Sequence, residues 1–188
     1  EEFQKAPLPQ AQSAGGTVVA ASGGPKLRSP IKSEYRSHAG VVYGLECSPY
    51  QRNVFASCGS DGALRVYSTL QTKPILALEP SSAYLFCCQW SPFRPTVLAA
   101  GTGAGKLVFY DMMQSTLHPA RCVDATEQLS PVHALAFNPK LPEFLASTDG
   151  ETVKVWELGP RLTENRPGEQ RLLDRLTELD AAEALFDM

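Results

Sequence analysis

The feature that most constrains this 188-residue chain is a pattern that occurs three times. The first copy is residues 41–67, VVYGLECSPYQRNVFASCGSDGALRVY. Its apolar run 41–47 stops at Ser48-Pro49, because proline has no N–H to give a sheet ladder. A second run, 53–57, stops at Gly59-Ser60-Asp61-Gly62, a turn in which glycine reaches positive φ without strain. Residues 63–67 are the third run. The second copy reads 84–90, Ser91-Pro92, 96–100, a glycine-rich turn, then 106–111. The third reads 131–137, Asn138-Pro139, 143–147, Thr148-Asp149-Gly150, then 152–156. Pro49, Pro92 and Pro139 lie 43 and 47 residues apart, and Val66, Val108 and Val155 lie 42 and 47 apart.

A period of about 40–45 residues with four strands per unit belongs to WD-type β-propeller blades. Fourth strands are predicted at 74–78 (PILAL) and 120–124 (ARCVD), and none after Trp156. A β-sandwich explains frequent turns but gives no reason for the long period. The expected fold is therefore all-β: a partial WD40-type propeller of about three to four blades, with a short C-terminal helix. The expected organisation is a disordered arm at 1–14, blades over 15–158, and an acidic tail at 159–188. Within the blades, 15–37 reads as the end of an earlier unit, with strands at 17–22 and 30–35, followed by units at 38–80, 81–125 and 126–158. Closed propellers have about four to eight blades, and the chain opens on Glu1 rather than Met. The expectation is the C-terminal part of a longer propeller.

The tail differs from the blades in charge. Residues 157–188 hold eight acids against four arginines. Leu172, Leu176, Leu179 and Phe186 fall on one helical face, so a helix is predicted from Glu169 onward, with Glu183 interrupting the stripe. Such a helix is marginal without packing. It either docks on a partner or on the propeller's own flank, or stays a solvated tail.

Composition excludes several functions. A net charge of −3 with scattered Lys and Arg leaves no footprint for nucleic acid. No stretch of 18 apolar residues offers a helical membrane span. The five cysteines form no CxxC pair; Cys47, Cys58, Cys87 and Cys88 sit in apolar runs and read as buried reduced thiols. His118 and His133 have no metal-ligand company, so no metal or other cofactor is expected. Residues 101–107, GTGAGKL, miss the phosphate-loop spacing, having Ala100 and Leu107 where Gly and Ser or Thr are needed.

His38, Ser57 and Asp61 form a nucleophilic triad on paper. The structural reading is stronger: with Tyr67 they match the hydrogen-bond network inside a WD blade. The third unit keeps Ser147, Asp149 and Trp156 without a histidine, and the second keeps only Tyr110. A structural network can lapse in some blades; a catalytic one cannot be scattered this way. No catalytic residue is expected. What remains is surface, and the expected partner contacts are exposed turn residues: Tyr50, Gln51 and Arg52; Phe93 and Arg94; Lys140 and Leu141.

The wording of the repeats carries a resemblance. HAGVVYGLECSPYQRNVF at 38–55 and WSPFRPTVLAA at 90–100 resemble the C-terminal blades of dynein intermediate chains, the second unit most like those of cytoplasmic dynein-2. The resemblance covers about residues 15–158. It implies a non-catalytic subunit whose propeller binds a dynein heavy chain. It also implies association with other intermediate and light chains through sites upstream of this sequence, and a place in the cytoplasm, the cytoskeleton and the cilium with its base. A WD adaptor of a ubiquitin ligase or chromatin complex is the alternative.

Overall fold

The computed structural model describes residues 31, 33–80 and 82–186, with α2 side chains through Glu178. The chain divides into two units at Lys32 and Ser33. The arm expected at 1–14 and the strand expected at 17–22 lie outside the described residues. Of the strand expected at 30–35, the described residues 31 and 33–35 adopt no strand. Tyr35 instead stands edge-on to Phe55 and Tyr67.

The second unit contains eleven described strands in three antiparallel sheets. Blade 1 is β1 (Val42–Cys47), β2 (Val54–Gly59), β3 (Leu64–Ser68) and β4 (Pro74–Leu78), paired in that order. Blade 2 repeats the meander with β5 (Leu85–Trp90), β6 (Val97–Thr102), β7 (Lys106–Asp111) and β8 (Arg121–Asp124). Blade 3 has β9 (Ala134–Phe137), β10 (Phe144–Thr148) and β11 (Val153–Glu157). β1 packs on β5 and β5 on β9, so successive sheets meet along their first strands, as propeller blades do. The chain forms a partial β-propeller.

Alternation builds the core between blades. On β1 and β2, Glu46 faces Ala56 and Gly44 faces Cys58; with Val66, Leu64 and Leu78 these point toward blade 2. There they meet Cys88, Trp90, Leu98, Ala100, Val108 and Tyr110. Gly44 is required by close approach, since a Cβ there would stand 2.7 Å from Cys58 Sγ. The opposite face of blade 2, with Ala99, Leu107 and Phe109, packs on Leu135, Leu145 and Trp156 of blade 3. Cys58 and Cys88 are buried as expected, but Cys47 is exposed, because it lies on the face of β1 turned away from blade 2.

After β11 the chain forms a short helix, α1 (Pro160–Thr163), within the segment expected as an acidic tail. Pro160 fits there because the first helical position has no intrahelical N–H bond to lose. The long helix α2 (Glu169–Phe186) then docks back on the blades, with Leu173 buried in the cluster shared by blades 1 and 2. Leu172 and Leu176 flank it.

Candidate functional site

Each blade turns between its first and second strands by the same device. Ser48 Oγ accepts from the N–H groups of Tyr50 and Gln51, both at 3.3 Å. Ser91 Oγ accepts from Phe93 at 3.3 Å and Arg94 at 3.2 Å. Asn138 Oδ1 accepts from Lys140 at 2.9 Å and Leu141 at 3.1 Å. Local bonds of this kind offer the backbone a turn in place of a ladder. They make Gln51, Arg94 and Leu141 equivalent positions on one rim.

Those equivalent positions have different occupations. Gln51 Nε2 donates to Asp174 Oδ1 of α2 at 2.8 Å. Arg94 is fully buried, at 0% exposure. Its Nε donates to Glu169 Oε1 at 2.7 Å, its Nη2 to Asp111 Oδ2 at 3.0 Å and to Glu169 Oε1, and its Nη1 to the Arg161 carbonyl. Tyr50 packs with Leu172 and Leu176 against the core, and burial, aided by nearby Glu169, pushes its hydroxyl up to about 12. The expectation of Arg94 as an exposed turn residue is therefore corrected, and Tyr50 and Gln51 are half-buried. An arginine in a polar turn reads as solvated until a buried acid from the tail is brought to it. Phe93 is half-buried, while Arg52, Lys140 and Leu141 are exposed.

The tail face was also only partly visible in sequence. Glu169, Leu173 and Thr177 form its buried line, and the leucine pattern named none of these three as facing inward. The buried Glu169 was the missed signal: an acid at i with apolar residues at i+3, i+4 and i+7 reads as solvated unless a buried cation is paired with it.

On the other face of blade 1, His38 Nε2 lies 2.7 Å from Ser57 Oγ and Nδ1 lies 2.9 Å from Asp61 Oδ1. Asp61 also accepts from the N–H groups of Ala39 and Ala63 and from Arg65 Nη2 at 3.0 Å. Burial pushes the Asp61 carboxyl up, but the bonds from His38, Ala39 and Ala63 outweigh it and hold it below its ordinary range. An ionised carboxylate only accepts, so the Nδ1–H of His38 donates to Asp61. Ser57 is 4% exposed, so its hydroxyl is committed to His38 rather than open to solvent. The arrangement ties the turn to the strand.

Tyr67 does not join that set; its hydroxyl donates to the Arg36 carbonyl at 2.9 Å. In blade 3, Trp156 Nε1 donates to Ser147 Oγ at 2.8 Å. Asp149 stays apart, accepting from the N–H and hydroxyl of Thr152, both at 2.9 Å. Those bonds hold its carboxyl below the ordinary range. In blade 2 the serine position is Ala100, and among the described residues the buried Tyr110 hydroxyl has no partner. Burial, with a smaller push from Cys122, raises it to about 12.

Two apolar faces lie open. On β1 stand Val42 and Leu45, the latter 67% exposed, while Tyr43 packs against the Phe86 ring of blade 2 at 5.0 Å. On blade 3, Val153 and Val155 are 73% and 68% exposed, and they share a face with Ala134, Ala136 and Ala146. His133 lies just before β9 rather than inside it, exposed beside the Phe86 ring. Among the described residues no cluster of His, Cys, Asp and Glu is arranged to hold a metal, and no helix is long and apolar enough to cross a membrane.

Residues 29–68 match the family model "WD domain, G-beta repeat". The chain is 41% identical to the mouse cytoplasmic dynein 2 intermediate chain 2 over 80% of its own length and 28% of that protein. It is likewise 41% identical to the human protein of that name over 83% of its length and 29% of that protein. A Drosophila melanogaster cytoplasmic dynein 1 intermediate chain is 29% identical over 52% of this chain and 15% of its own length. The chain thus spans less than a third of the relatives it matches. With the repeat, the blades and these relatives agreeing, the chain belongs to the WD-repeat family of dynein intermediate chains.

Proposed function

We propose that this chain supplies blades of a non-catalytic intermediate chain of a cytoplasmic dynein, of the dynein-2 type. In this reading its propeller binds the dynein heavy chain and scaffolds the motor for retrograde transport in cilia. The observation that carries the reading is the 41% identity to cytoplasmic dynein 2 intermediate chain 2 across four fifths of the chain. The surface supports it: a rigid stack of blades presents the exposed turn at Arg52, the turn at Lys140 and Leu141, and two apolar faces, while its one triad-like set is buried. Exposed apolar patches of this kind mark protein-binding sites.

Affinity capture of the tagged full chain from ciliated cells, read by quantitative mass spectrometry, tests the assignment. Enrichment of a dynein heavy chain with other intermediate and light chains is the expected result. Ubiquitin-ligase or histone partners without any dynein chain would instead support an adaptor of another complex. The non-catalytic reading has its own check in His38→Ala. Leaving Ser57 and Asp61 without their shared partner is expected to cost about 1–3 kcal/mol in urea unfolding. An esterase activity of the parent chain that disappears in a still-folded variant would overturn that reading.

A further inference from the structure

On the tail rim, the segment after β11 crosses back over blade 2 and leaves a cleft of about 410 Å³. Asp111, Gln114 and Arg121 line it from blade 2, and Gly159, Arg161 and Arg166 from the tail. Its charges do not cancel. Inside, buried Asp111 is paired with Arg94 at 3.0 Å and with Arg166 at 3.8 Å, and Arg94 also holds Glu169. Those two guanidiniums and two carboxylates balance. Arg121 and Arg161 are exposed at the mouth, and among the described residues neither is in an ion pair. Two positive charges therefore stand together on a chain whose net charge is −3. A cleft lined by one sign of charge concentrates the opposite sign.

We propose that this cleft binds a phosphorylated side chain of a protein partner. A phosphoserine carries about −1.5 to −2 charge at pH 7 and three acceptor oxygens. That matches two guanidinium forks, each able to bond two oxygens. A single carboxylate carries one charge and fills one fork. The Gln114 amide is a further donor at the same wall. The site exists only while the tail is docked, because Arg161 is fixed there by its own carbonyl bonding to Arg94.

The test uses the full chain and a fluorescein-labelled peptide, Gly-Ser-phosphoserine-Ser-Gly, read by fluorescence anisotropy. Binding is expected to weaken at least tenfold in Arg121→Gln and in Arg161→Gln, and to be lost in the double variant. Arg175→Gln, at an exposed position of α2 away from the cleft, is expected to bind like the parent. Both variants keep the fold, since each side chain is exposed; matching thermal melts check this. Equal binding by the double variant overturns the proposal. So does equal affinity for the peptide with glutamate in place of phosphoserine, which would make the cleft a general acidic-peptide site. Full competition by inorganic phosphate at the peptide's own concentration would reduce it to a free-phosphate site.

Discussion

Single residues decide how neighbouring blades are tied. Glu46 Oε2 accepts from the Trp90 N–H, and one blade later Gln89 Oε1 accepts from the Phe137 N–H at 2.7 Å. The two residues hold the same place, one before the end of the first strand. Only one of them titrates. Burial pushes Glu46 up to about 7 from 4.5, against the pull of the Trp90 N–H. A raised carboxyl favours the protonated form in the folded state, so its contribution is fully present below pH 4.5 and is lost as pH rises toward 7. Glu46→Gln copies the natural solution at Gln89 and removes the proton. Its stability relative to the parent is expected to be near equal at pH 5 and higher at pH 8, measured by denaturant melts at both. A parent whose advantage grows with pH would show that Glu46 is stabilised as an anion. The tie itself was not legible in sequence, because Glu46 and Gln89 look like the polar half of an alternating strand. Their register against the next blade is a long-range fact. Tyr110 teaches the same limit: nothing in its strand pattern shows that its buried hydroxyl finds no hydrogen-bond partner among the described residues.

At the level of elements, the strands were legible and the tail only partly so. Each X-Pro and glycine turn bounds its strand by local chemistry, so strand ends fall within a few residues of the sequence reading. The helix was legible from its leucines, but its docking depends on Arg94, some seventy-five residues away, reaching Glu169. That pair is buried on both sides, at 0% side-chain exposure each. Buried pairs add little over apolar packing, yet breaking one leaves the other charge stranded. Arg94→Ala strands Asp111 and Glu169 together. It is expected to cost about 3–5 kcal/mol, with α2 released first. Hydrogen exchange is expected to show loss of protection in α2 and retention in β6 and β7. Arg94→Lys is expected to rescue only in part, since one ammonium cannot reproduce the fork that reaches Asp111, Glu169 and the Arg161 carbonyl together. Uniform loss of protection across blade 2 would mean that the arginine holds the sheet rather than the helix.

Among the described residues, the blades bury their shared faces and leave apolar side chains exposed on β1 and on the outer face of blade 3. The face beside β1 and the face of β9 to β11 are different surfaces, with different residues: Val42 and Leu45 against Ala134, Ala136, Val153 and Val155. Contact between two such unlike faces is heterologous, and it propagates unless the rotation closes a ring. The interior contacts show what such a meeting looks like, since blade 2 meets blade 3 through a buried apolar cluster that includes Ala99, Leu107, Phe109, Leu135 and Leu145. Among the described residues β11 is the edge of its sheet, and edge strands present backbone groups that can pair. The 20.4 kDa chain on its own is therefore expected to self-associate end to face, with a mass that climbs with concentration in sedimentation velocity. Leu45→Glu and Val155→Glu place a charge in the middle of each open face without touching the buried clusters. Either alone is expected to stop growth, because each copy needs one of each face, and mixing the two variants is expected to cap association at dimers. A parent that stays monomeric across the range would overturn the prediction, while variants that polymerise unchanged would locate the adhesive surface elsewhere, on the rim at Lys140 and Leu141.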